Sequence, residues 1–325
     1  MALVYSIPMH PDIPVLVIGY KRAKNLILIF DACRESGVKK LYFAVDAPAN
    51  ISDRLDVDET RNVIRSLGSE SDLEIRYHFS TENAGCAAGV ISACDWFFEH
   101  EDFGVIIEDD CIPSTDFFDF MCKALPLVKS ERNIWLVSGT QFFGNKLRDA
   151  GWVLSKYPMH WGWGTTASAW RESRAQLDHH PPTFKKFLQS IRSPELIYWF
   201  AGERRAFYGF TDVWDSIYAS NMVRLKRMAI VPSANLVTNI GDDLFATNTV
   251  GQQKFTQLPT EKYLSITNLP IRNFDYDREV RKRFFGISIS HYVTTFYTLA
   301  LDYFVPGRKI FPHLDSRLVD SKFND

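Results

Sequence analysis

Phe103-Gly104-Val105-Ile106-Ile107-Glu108-Asp109-Asp110-Cys111-Ile112-Pro113 is the stretch on which the reading of this chain turns. Its first five residues are aliphatic, aromatic or small, the composition of a strand buried on both faces. The strand runs straight into three carboxylates, Glu108, Asp109 and Asp110. Neighbouring like charges raise one another's pKa and repel unless something positive compensates. Hard oxygen donors suit Mg²⁺ or Mn²⁺, which keep some waters and also take phosphate oxygens. The competing reading is a polar loop that caps the next helix. Ser114, Thr115 and Asp116 already supply that cap, which favours the cation.

Outward from the triplet, strand-like and helix-like segments alternate. Pro14–Gly19, Lys40–Val45, Leu73–Phe79 and Asn133–Ser138 have the short apolar or alternating pattern of strands. Residues 23–36 carry Leu26, Ile29, Phe30 and Cys33 at helical spacing. Residues 54–67, Gly89–Phe98 and Phe117–Val128 read as further helices. This order predicts an α/β fold, a mostly parallel sheet with helices on both faces. Ligands of such sheets bind outside the carboxyl ends of the strands. Tyr20-Lys21-Arg22, Asp46 and the acidic triplet would share that edge.

Other classes are excluded by composition and by missing motifs. With 46% hydrophobic and 14% aromatic residues, the chain of 325 residues is not disordered. Its 37 basic and 39 acidic side chains give no electrostatic reason to expect nucleic acid. Five cysteines without C-x-x-C spacing argue against a disulfide scaffold or zinc ribbon and for a reducing, cytoplasmic setting. Met1–Pro14 lacks a basic start and is broken by prolines, unlike a signal peptide. No G-x-G-x-x-G follows the first strand, and no P-loop, G-x-S-x-G or H-E-x-x-H occurs.

Several stretches together resemble glycosyltransferases of the GT-A, Rossmann-like nucleotide-sugar fold. They are Pro14–Arg22 (PVLVIGYKR), Ser80–Cys86 (STENAGC), Trp96–Pro113 and Asn235–Gly241. The likeness is to a bacterial sugar transferase group distantly similar to the N-acetylglucosaminyltransferase that begins complex N-glycans, with its hexosyl- and N-acetylhexosaminyl-transferases. It implies a GT-A domain over residues 1–260, with a nucleotide-sugar half at 12–138 and an acceptor half at 139–260. Residues 261–325 would form a helical C-terminal extension.

The same resemblance assigns roles. The triplet would be the D-x-D-type motif, with Asp110 on Mn²⁺ or Mg²⁺, Asp109 near the ribose or a metal-bound water, and Glu108 near the nucleotide. Gly19, Tyr20 and Arg22 would lie against the base or phosphates, and Asp46 would read the base edge. Glu82, Asn83 and Gly85 would line the ribose and diphosphate. Ala87 and Ala88 stand where related sequences carry lysine, and Asn248 stands where they carry a histidine ligand. Asn248 is the expected second metal ligand.

The acceptor side is read from Gly139 onward, where aromatic residues and glycines cluster. Gly209-Phe210-Thr211-Asp212-Val213-Trp214-Asp215 resembles the segment that supplies the base of inverting enzymes. Asp212 is the first choice and Asp215 the second, and Asp212 as the cap of a helix over Val213–Asn221 is an equal reading. In His160-Trp161-Gly162-Trp163-Gly164, Trp163 is the expected sugar platform, against a core aromatic cluster. Residues 184–208 read as helical, and Met228–Val231 as a strand. Residues 284–304 are strongly apolar with basic flanks. They suit a helix docked on the domain, or a peripheral contact with the inner membrane through 281–309.

These readings converge on a metal-dependent, inverting transferase for polysaccharide synthesis. The donor would be a nucleotide diphosphate sugar, a UDP-sugar, and the acceptor a saccharide or lipid-linked saccharide. The alternatives are a sugar nucleotidyltransferase, which would want a glycine-rich loop with arginine and lysine after the first strand, and a non-catalytic scaffold of the same fold.

Overall fold

The computed structural model describes residues 13–143, 147, 151–175, 183–208, 212, 214–241, 258–266 and 268–304. β1 (Val15–Gly19), β2 (Lys40–Val45), β3 (Glu74–Phe79) and β4 (Phe103–Glu108) are parallel, in the order β3-β2-β1-β4. β5 (Cys111–Pro113) leaves the main sheet and pairs with β10 (Val237–Asn239) as a small antiparallel ribbon. β6 (Ile134–Ser138), β7 (Trp152–Ser155), β8 (Trp163–Thr166) and β9 (Met228–Pro232) complete the eight-stranded sheet, β3-β2-β1-β4-β8-β6-β9-β7. β8 is antiparallel to both of its neighbours and β7 to β9. The expected mostly parallel sheet is therefore present, with two reversed strands in its second half.

Helices cover both faces. A Cβ on Gly104 of β4 would lie 2.4 Å from Phe97 of α3 (Cys86–His100). One on Gly164, opposite Val105, would lie 3.1 Å from Met121 and Leu125 of α4 (Thr115–Ser130). Alternation along β4 puts Gly104 and Val105 on opposite faces, so α3 and α4 cover different sides. α4 shares its face with α1 (Ala23–Glu35) and α2 (Arg54–Ser69). α3 shares its face with α5 (Ala167–Arg174) and, through the stacked Trp170 and Tyr218 rings, with α8 (Asp215–Leu225).

Three differences from the sequence reading have local causes. Residues 184–208 form two helices, α6 (Phe184–Ser190) and α7 (Pro194–Phe207). The break is at Ser193, whose hydroxyl accepts from Leu196 N, with Pro194 opening the second helix. The aromatic and glycine-rich stretch after Gly139 contains two strands that its composition did not announce. The C-terminal apolar run begins with a π-type turn, Val280–Phe284, and its helix, α10, spans Ile289–Phe304. Among the described residues no helix is long and apolar enough to cross a membrane.

The C-terminal segment is docked on the sheet and on α7. Leu154 N donates to Ile271 O and Asn273 N to Leu154 O, which adds residues 271–273 beside β7. Asp277 of α9 (Phe274–Glu279) is buried and accepts from Ser155 Oγ at 2.7 Å and Arg272 Nε at 3.0 Å. α10 packs along α7, with Leu299 fully buried.

Candidate active site

β1, β2 and β4 end at one edge of the sheet, and a cavity of about 700 Å³ opens there. One end is polar and carries the acidic triplet. The other is aromatic and is lined by Phe142, Trp161, Tyr198, Trp199, Phe284 and Phe285. Asp212, Trp214 and Asp215 also line the cavity.

The three carboxylates of the triplet have different surroundings. Asp109 is buried and already partnered. Tyr20 N donates to Oδ2 and Arg22 Nη1 to Oδ1, both at 2.8 Å. Asn25 Nδ2 donates to the Asp109 backbone carbonyl. These bonds hold the end of β1 against the end of β4. Burial raises the pKa of Asp109, and Arg22 opposes that shift.

Asp110 turns toward the β5–β10 ribbon. Its carbonyl accepts from Ile240 N at 2.8 Å, and its Oδ1 accepts the weak Cys111 thiol donor at 3.2 Å. A Cβ on Gly241 would stand 2.4 Å from Asp110 Oδ2, so only glycine leaves room beside that oxygen. Arg22 Nη1 is farther, at 3.9 Å. Glu108 has its pKa pushed well above the ordinary carboxylate range, first by burial and then by Asp110, Asp215 and Asp109. The Cys86 thiol feels the same field. Burial and then Glu108, Asp212, Asp215 and Asp110 push it up to about 12.

This excess of negative charge fits a hard divalent cation. Asp110 presents an oxygen in a glycine-lined gap, and Glu108 adds a neighbouring carboxylate. Among the described residues no group of three His, Cys, Asp or Glu side chains forms a preassembled metal cage. Asp109 is turned away into its bonds with Tyr20 and Arg22. Asn248, the other expected ligand, lies outside the described residues.

Asp46 and Asp212 both serve the backbone. Asp46 accepts from Ala47 N at 2.8 Å, Ala84 N at 3.0 Å, Gly85 N at 3.2 Å and Asn83 Nδ2 at 3.1 Å. Its carboxylate thus shapes the loop before α3, where Gly85 takes a φ of +82° that suits glycine alone. Asp212 Oδ2 accepts from Cys86 N at 2.7 Å, and Oδ1 from Ala87 N at 3.0 Å. It caps α3 from far along the chain, and not the helix that follows it. Asp215 opens α8 and faces the cavity. Its oxygen accepts from Ser216 N, and the surrounding protein raises its pKa.

Gly19, Tyr20, Arg22, Asn83 and Gly85 line the cavity together with Asp46 and the triplet. Glu82 is exposed and is not part of the lining. Trp163 is a correction. It is fully buried, its rings packed against Trp170, Trp214 and Tyr218. The register that pairs it with Ile106 turns it under α5 and α8, so it cannot reach a sugar. Trp161, two residues earlier and outside the strand, reaches the cavity instead. His160 borders the cavity but is buried among Trp163, Trp214 and Tyr218. Burial lowers its pKa to about 3, which keeps it neutral. Tyr198, Phe284 and Phe285 were not singled out in the sequence, where only their aromatic character could have drawn attention.

No family model matches the chain, and no curated protein is similar to it in sequence. Solved structures share parts of its shape. A UDP-glucose pyrophosphorylase complexed with UDP-glucose aligns over 68% of this chain and 90% of its own, at 8% identity and a TM-score of 0.36. The bifunctional glycosyltransferase WbbM aligns over 55% and 35%, at 9% identity and a TM-score of 0.33. A putative glucose-1-phosphate thymidylyltransferase from Bacillus anthracis aligns over 52% and 76%, at 11% identity and a TM-score of 0.32. Likenesses this distant decide nothing about function, which rests on the residues of the cavity.

Proposed function

We propose that the chain is a metal-dependent glycosyltransferase that moves a sugar from a nucleotide diphosphate donor, a UDP-sugar, to a saccharide hydroxyl with inversion. The observation that carries this reading is one cavity lined by three adjacent carboxylates that face a single arginine, by Asp215 and by a group of aromatic side chains. Asp110, with Glu108 beside it, would hold Mn²⁺ or Mg²⁺. That cation would supply charge neutralisation for the leaving diphosphate. Arg22 stays with Asp109 and adds positive charge beside the phosphates.

Asp215 is the better base of the two aspartates. Both oxygens of Asp212 are taken by the first turn of α3, whereas Asp215 faces the open cavity and the surrounding protein raises its pKa, the direction a general base needs. The acceptor oxygen attacks the anomeric carbon while the bond from that carbon to the diphosphate oxygen breaks. The hydroxyl proton passes to Asp215, and the nucleoside diphosphate leaves with the bonding electron pair. One displacement inverts the anomeric centre. Trp161 and Tyr198 would pack on the acceptor ring. Residues 12–138 then hold the donor and 139–260 the acceptor, with Phe284 and Phe285 from the last segment completing the acceptor wall.

A sugar nucleotidyltransferase is the alternative reading; the glycine-rich loop with arginine and lysine that it would want after the first strand is not supplied by Tyr20–Asn25. Calorimetric titration with UDP, with and without Mn²⁺, tests the proposal. A Mn²⁺-dependent signal that disappears in Asp110→Ala is expected. Absence of nucleotide binding under every condition would leave a scaffold and sink the enzyme reading.

A further inference from the structure

α10 carries apolar side chains on its solvent face as well as on the face that packs against α7. Its buried positions include Thr295 and Thr298. Its solvent positions include Ile289 (77% exposed), Val293 (57%) and Tyr297 (63%), a stripe at four-residue spacing. From Ile289 to Leu301 the sequence holds no Asp, Glu, Lys or Arg. The outward threonine and serine hydroxyls beside the stripe are bonded nearby, and the Tyr297 hydroxyl suits the polar boundary of a bilayer. Thr294 Oγ1 donates to Ser290 O at 3.1 Å, and Ser290 shares a hydrogen bond with Ser288. Such a face loses little when water is replaced by hydrocarbon. Phe296 stacks against Phe187 of α6, and α6 exposes Phe184 beside it.

Charge says what covers this face. Arg281, Lys282 and Arg283 stand before its first position, Ile289, with five residues between; Lys282 and Arg283 are exposed, and Glu279 is paired with Arg283. A short apolar stripe beside a cluster of cations is complementary to acyl chains under anionic headgroups. A second copy of the chain would bring the same cations and no acidic groups from the stripe. The π-type turn that carries this basic cluster also ends in Phe284, which with Phe285 lines the aromatic end of the cavity. The docking face and the acceptor wall are thus consecutive in sequence.

We infer that the outward face of α10, with Arg281–Arg283, docks the protein on an anionic lipid surface and so presents the acceptor end of the cavity to lipid-borne saccharides. The acceptor part of this statement rests on the transferase reading, and the docking part does not.

The test is co-sedimentation of the full chain with phosphatidylcholine vesicles, with and without phosphatidylglycerol. Binding is expected only with the anionic lipid and should weaken with salt. The triple variant Ile289→Ser, Val293→Ser, Tyr297→Ser should bind on the order of a hundredfold less. Lys282→Ala should bind about fivefold less. Both variants should keep the parent's melting temperature and its nucleotide titration, since these side chains do not line the cavity. No binding of the folded parent to anionic vesicles, or full binding by the triple variant, overturns the docking. A concentration-dependent dimer that the triple variant abolishes, without vesicle binding, also overturns it and makes the face an interface between copies. Vesicle binding with no transfer to any glycolipid, while a soluble saccharide is glycosylated, keeps the docking and removes the lipid-borne acceptor. Loss of nucleotide binding alone would sink the transferase reading and leave the docking standing.

Discussion

The polar and aromatic ends of the cavity are built on opposite principles. At the polar end, most charged groups are consumed in holding the fold. Asp109 is bound by Tyr20 and Arg22, Asp46 by the loop before α3, and Asp212 by the first turn of α3. What is left over, Asp110, Glu108 and Asp215, is what chemistry can use. At the aromatic end, the leftover is decided by packing. Trp163 and Trp214 close the core, and Trp161, Tyr198 and Phe285 remain at the wall. In both regions a functional group is one the scaffold does not need.

The largest test of that contrast is at the aspartates. Asp215→Asn should keep donor binding and lower turnover about 10²–10⁴-fold in a steady-state transfer assay. Asp212→Asn weakens the cap of α3 and should lower melting temperature more than turnover. The opposite ranking would return Asp212 to the role of base. Next come the tryptophans. Trp163→Ala should cost about 3–5 kcal/mol in urea unfolding, while Trp161→Ala should leave stability nearly unchanged and raise the acceptor KM. Equal destabilisation by the two would erase the distinction between core and wall.

A smaller effect is expected at Gly241. Alanine there would push on Asp110 Oδ2, and Mn²⁺-dependent UDP affinity should fall about 10–100-fold with little loss of stability. The smallest is in pH dependence. Glu108 and Asp109 have folded pKa values above their unfolded ones, so the folded state holds more protons between the two. Stability then decreases as pH rises through that window. Without cation, the melting temperature should drop by about 2–4 °C from mildly acidic to neutral pH. Saturating Mn²⁺ should remove the drop, and a cation-independent pH profile would argue against its placement at this edge.

The first half of the chain was legible because its signals are local. Apolar strands ending at Gly19, Val45 and Glu108 are separated by helices of regular period, and the α/β rule then collects their ends on one edge. The second half was not, because β7 and β8 lack period-two patterns of useful length and β8 enters the sheet between strands distant in sequence. The helix over 184–208 was visible in kind but not in its break at Ser193. Asn248 falls outside the described residues, so the expected second metal ligand keeps only its sequence argument.

Residue chemistry along the chain was enough to place an acidic cluster at the end of a buried strand, and to set aromatic segments and a basic, apolar tail beyond it. Those follow from composition and short-range periodicity, which are properties of neighbours in sequence. Which carboxylate stays unpaired, and which tryptophan faces the cavity, depend on partners 57 to 126 positions away, as with Trp163 beside Ile106 or Asp212 on Cys86 of α3. A side chain is spent or free only after the sheet register and the two helical layers have chosen its contacts, and that choice is made by packing in three dimensions.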